Sequence, residues 1–66
     1  MSLLVQYTVE RQDDLAICTL TPARSINGFV GCMLTMPDAD DATIHERVLW
    51  KLGQELSATP FEAERV

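Results

Sequence analysis

The chain has 66 residues, 47% apolar and 23% charged, with five Lys and Arg against ten Asp and Glu for a formal net charge of -5. That length holds one hydrophobic core and one domain, residues 1–66, in a composition that folds rather than stays disordered. The acidic balance argues against nucleic-acid binding and against an anionic membrane surface, and no apolar run nears the roughly 20 residues of a membrane-crossing helix.

Met1-Ser2-Leu3-Leu4-Val5 lacks the basic and apolar regions of a signal peptide, so the expected compartment is the cytoplasm. From Leu3 to Arg11 the side chains alternate. Leu3, Val5, Tyr7 and Val9 point one way, and Leu4, Gln6, Thr8 and Glu10 the other, which predicts a strand with one wet face. Gln12-Asp13-Asp14 is a turn. Leu15–Thr21, rich in β formers, is the second strand of a hairpin.

Pro22 cannot donate to a ladder and is expected to end that strand. Pro22 to Gly28 then forms a loop, with Asn27-Gly28 supplying residues that tolerate positive φ. The alternative puts Asn27-Gly28 at the tip of a tight hairpin and runs the second strand through Pro22. Phe29–Met36 is a third strand, apolar on both faces and closed by Pro37. If Thr21 faces Phe29, Cys18 lies directly opposite Cys32.

Asp38-Ala39-Asp40-Asp41 stands ahead of a helical pattern, where carboxylates cap exposed N–H groups and complement the helix dipole. At about 100° per residue, Ile44, Val48, Leu52, Leu56 and Leu49 share one arc about 140° wide. Ala42–Leu56 is therefore an amphipathic helix that docks on the sheet. Thr59-Pro60-Phe61-Glu62 matches a capping box with proline at the first helical position, which predicts a short terminal helical turn. Phe61, Ala63 and Arg65 also alternate as a strand would.

The order strand, strand, strand, helix gives an α+β fold: a three-stranded antiparallel meander with one helix on one face. One helix covers one sheet face. Leu15, Ile17, Phe29 and Met33 are expected on the other, an apolar patch of the kind that marks self-association or a protein partner. Trp50 projects at about 240°, on the polar side of the helix, framed by Arg47 and Gln54. An indole placed there is a candidate binding hot spot.

No cofactor, metal site or glycine-rich phosphate loop is expected, since Gly28, Gly31 and Gly53 are scattered and the chain has two Cys and one His. His45 falls within the apolar arc and is expected to bond a backbone carbonyl. A thiol-dependent or redox-responsive protein using Cys18, Cys32 and His45 is the second functional expectation. The first is a small acidic regulator or inhibitor, homodimeric, that occupies a surface of another protein without catalysis.

Overall fold

The computed structural model describes residues 2–66. Its elements are β1 (Leu3–Gln12), β2 (Leu15–Pro22), β3 (Cys32–Pro37), α1 (Asp41–Glu55) and β4 (Phe61–Arg65). They form an α+β fold in the order βββαβ, with one helix and a four-stranded mixed sheet of order β3-β2-β1-β4.

β1 and β2 join through the two-residue turn Asp13-Asp14, where Asp13 takes φ 58 and Gln12 faces Leu15. β1 is one of the two inner strands, antiparallel to β2 and parallel to β4. Its odd-numbered residues Leu3, Val5 and Tyr7 are buried with Ala16, Cys18 and Leu20 of β2 and Met36 of β3. Ile44, Val48, Leu52 and Leu56 close this core from above. Each large side chain so buried contributes roughly 1.5–3 kcal/mol. The helix follows the predicted arc. Asp40 caps it, its carboxylate accepting from the Thr43 N–H at 3.0 Å.

The C-terminal segment differs from expectation. Residues 61–65 are a strand, not a helical turn, and the sheet has four strands, not three. A capping box acts over one turn, and so short a helix does not repay its nucleation. β1 meanwhile offers a full row of unpaired groups on the side away from β2. Its Leu3 N–H donates to Pro60 C=O at 2.9 Å, and the Val66 N–H donates to Tyr7 C=O at 2.9 Å, bracketing the parallel ladder. Phe61 and Ala63 then pack against the core.

β2 ends at Pro22 as expected, with the proline itself the last strand residue, one past Thr21, and facing Val5. The Ala23 N–H donates to Leu4 C=O at 2.8 Å, so odd-numbered residues of β2 bond toward β1 and even-numbered ones toward β3. The N–H that Pro22 lacks would therefore have pointed at the β3 side. The β2–β3 ladder stops at Leu20–Cys32 for that reason, and β3 starts at Cys32 instead of Phe29. Gly31, at φ 129, turns the chain so closely past β2 that a Cβ there would lie 2.9 Å from the Leu20 carbonyl oxygen. Asn27 and Gly28, both at positive φ, form a tight turn closed by a single bridge between Ile26 and Phe29. The Asn27-Gly28 turn of the hairpin alternative is thus present, but the ladder behind it is one bridge long and β2 does not run past Pro22.

Two glycine substitutions test these assignments in opposite directions. Gly53 lies mid-helix, and nothing stands within 4 Å of the place a Cβ would take there, so Gly53→Ala should raise stability by about 0.5–1 kcal/mol. Gly31→Ala should lower it by more than about 1 kcal/mol. Urea midpoints of both variants check this; a stabilising Gly31→Ala contradicts the described path of the chain.

Candidate functional site

Three places concentrate chemistry or exposed apolar surface. The first is the helix N-terminus. Arg11, near the tip of the β1–β2 hairpin, reaches Asp38 (Nε to Oδ1, 2.9 Å) and Asp41 (Nη2 to Oδ1, 3.0 Å), and donates to the Ala39 carbonyl at 3.3 Å. Arg65 of β4 contacts the same Asp41 oxygen at 2.6 Å. Asp41 thus ties the hairpin and the last strand to the start of the helix. Hydrogen bonds from Arg11, then Arg65, hold its carboxyl below the usual range, and the Thr43 bond does the same for Asp40. The carboxylates are already engaged within the chain, so this cluster reads as a structural latch.

The second place is beneath the helix. Tyr7 Oη lies 2.7 Å from His45 Nδ1, with the rings tilted at 40°. Burial pushes the Tyr7 phenol up, so its hydroxyl stays protonated, able to donate to the ring nitrogen or accept from it. The partner of His45 is thus a side chain from β1, not a backbone carbonyl. The pairing had a visible signal: Tyr7 sits on the buried row and His45 on the buried arc, and each carries a polar atom that burial requires to be bonded.

The register moves the cysteines apart. Cys18 faces Leu34, and Cys32 faces Leu20. They are diagonal neighbours at a typical spacing of about 7–8 Å, beyond the reach of a relaxed disulfide, and both are free. Burial pushes both thiols up, which opposes the thiolate that nucleophilic or redox chemistry requires. Among the described residues there is no group of three or more His, Cys, Asp or Glu placed to hold a metal ion, and no cavity is present.

The third place is the exposed surface. The sheet face turned from the helix is graded. Glu62 and Glu64 lie on β4, Thr8 and Glu10 on β1, Thr19 with Leu15 and Ile17 on β2, and Met33 with Thr35 on β3, so the carboxylates lie on the β4 half and the large apolar groups named here on the β3 half. Of the four residues expected there, Leu15 and Met33 are exposed and Ile17 is half-buried. Phe29 is not on this face. It has left the strand and is 8% exposed within the core, because the ladder that would have held it in the sheet ends at Leu20–Cys32. On the outer side of α1, Trp50 is 57% exposed, with Arg47 and Gln54 also in solvent. The ring is therefore not folded away beneath the loop of residues 23–25.

Ion pairs further define this surface. Arg11, Lys51 and Arg65 are paired within the chain, Lys51 with Glu55 at 3.2 Å. Among the described residues, Arg24 and Arg47 are in no ion pair, nor are Glu10, Asp13, Asp14, Asp40, Glu46, Glu62 and Glu64. No protein-family model, curated protein or solved structure matches the chain.

The latch predicts an acid dependence. Asp40 and Asp41 are held below the ordinary carboxylate value of about 4. The unfolded chain therefore binds more protons than the folded one as pH falls through that range. Their stabilisation is present above pH of about 4 and is lost as pH drops through their lower folded values. Asp41→Asn should lower the urea midpoint at pH 7 and flatten its decline on acidification. An unchanged pH profile would remove Asp41 from the latch.

Proposed function

We propose that this chain is a small acidic protein-binding module, a homodimeric regulator or inhibitor that occupies a partner's surface and performs no catalysis. The observation that carries the proposal is Trp50. A 57% exposed indole on the outer side of a helix presents a large rigid apolar surface in the residue type most enriched where a few contacts dominate binding. Its neighbourhood favours contact. Leu49 is part-exposed beside it. Gly53 stands four residues after Leu49 and three after Trp50, on the same side of the helix, where open space takes the place of a side chain. A partner group can thus approach the helix backbone between two apolar neighbours. Arg47, outside any internal ion pair, and Gln54 supply polar contacts at the rim.

The charge supports a protein partner with a basic contact surface. Seven carboxylates stand outside internal ion pairs among the described residues against two such arginines. The net field speeds encounter with a cationic surface and repels polyanions. The thiol-dependent alternative draws no comparable support, since both thiols are pushed toward the unreactive protonated form and the sole histidine is bonded to Tyr7.

The test is affinity capture with the tagged chain, followed by titration of the identified partner against wild type and Trp50→Ala. The substitution removes a side chain that is 57% exposed and should change the urea midpoint far less than a core truncation while weakening binding by at least ~1 kcal/mol. Equal affinity for the two proteins overturns the assignment of Trp50 and, with it, the observation on which the proposal rests.

A further inference from the structure

The two edges of the sheet are built differently. β4 is five residues long and carries Glu62, Glu64 and Arg65; short length and charge are devices that keep an edge from pairing with another chain. β3, from Cys32 to Pro37, carries no charged residue. The Asp38 N–H donates to Asp14 C=O at 2.9 Å, which sets the alternation along β3. Its even-numbered residues bond to β2, and the N–H and C=O groups of Met33 and Thr35 point outward at an edge no other strand occupies. Pro37 belongs to the outward set, where its missing N–H leaves the β2 ladder intact. Three of the six large exposed apolar residues, Leu15, Val30 (72% exposed) and Met33 (64% exposed), lie along this edge or on the strand beside it.

We infer that β3 pairs antiparallel with β3 of a second copy of this chain, about a two-fold axis at Leu34, joining the two sheets into one of eight strands. The inference rests on the self-association included in the function proposed above and names its seam. In this register Met33 faces Thr35 of the second copy, and Thr35 faces its Met33. Each pair exchanges two hydrogen bonds through groups otherwise bare. Leu34, half-buried against the core, meets its own copy at the closely spaced non-bonded position between them.

A second copy suits this edge despite the net charge of -5. Glu62 and Glu64 lie three strand spacings from β3, roughly 14 Å, which exceeds the screening length of about 8 Å at physiological salt. Antiparallel pairing also brings the acidic end of β3, at Asp38, to the copy's loop of residues 23–31, whose one charge is Arg24. A two-fold pairing of identical edges closes on itself and adds no further open edge.

Sedimentation equilibrium across a dilution series tests this with wild type, Met33→Pro, Thr35→Pro and Ile17→Thr. Wild type should show twice the 7.4 kDa chain mass at high concentration. Each proline deletes an N–H that the single chain does not use, so both variants should keep the wild-type circular dichroism and sediment as single chains. Ile17→Thr, which alters the sheet face and not the edge, should remain a dimer, as should Trp50→Ala. That last arm separates failure of this seam from failure of the partner surface. A wild type that is a single chain at every concentration overturns the inference. So does a dimer that survives both prolines, or one abolished by Ile17→Thr alone. Should the prolines unfold the chain, amide exchange on wild type decides. The Met33 and Thr35 amides should slow as concentration rises, and exchange that ignores concentration overturns the pairing.

Discussion

The structure depends on β1 being hydrogen-bonded along both edges. Its even-numbered residues face β2 and its odd-numbered residues face β4, an arrangement fixed at the ends by the Ala23–Leu4, Leu3–Pro60 and Val66–Tyr7 bonds. A strand with both rows of backbone groups satisfied can sit at the centre of a core, where an unpaired buried N–H or C=O would be costly. That permits Leu3, Val5 and Tyr7 to share one buried core with Ile44, Val48 and Leu52. Without β4, β1 would be an edge, and β2 alone would be paired along both sides beneath the helix.

The same arrangement determines what remains outside. β3 and β4 stand at opposite edges, so the connection through α1 crosses the whole sheet on one side. The other side keeps its side chains in solvent and grades from carboxylates near β4 to apolar groups near β3. Charge is distributed along the same axis. The ion pairs of Arg11 and Arg65 with Asp41 engage two of the five cations to fasten the hairpin and the last strand to the helix. Such exposed pairs position elements more than they stabilise them.

Much of this was legible in the residues because it follows from short-range periodicity. The alternation from Leu3 to Arg11 identified the buried row, and the arc of Ile44, Val48 and Leu52 identified the helix and its docked side. Less legible was what depends on pairing between distant segments. Thr59-Pro60-Phe61-Glu62 carries a helix-start pattern, yet the open edge of β1 outweighed it, and no local pattern in the tail reveals that an edge is waiting. The alternation of Phe61, Ala63 and Arg65 was the weaker signal that prevailed. Pro22 was correctly expected to break a ladder, but which of its two ladders depends on hydrogen-bond alternation, which a two-residue Asp13-Asp14 turn sets from afar. That one fact moved the start of β3 from Phe29 to Cys32, buried Phe29 and shifted Cys18 away from Cys32. The exposed position of Trp50 follows from helical phase alone.

Native-state amide exchange at Val5 and Tyr7 tests the central claim most directly, because these amides point toward β4 and away from β2. With β4 in the sheet, both should exchange only through global unfolding, as slowly as Gln6 and Thr8 on the β2 side of the same strand. Exchange at Val5 and Tyr7 as fast as in the loop of residues 23–28, with Gln6 and Thr8 still protected, would show that β1 is an edge and contradict the account.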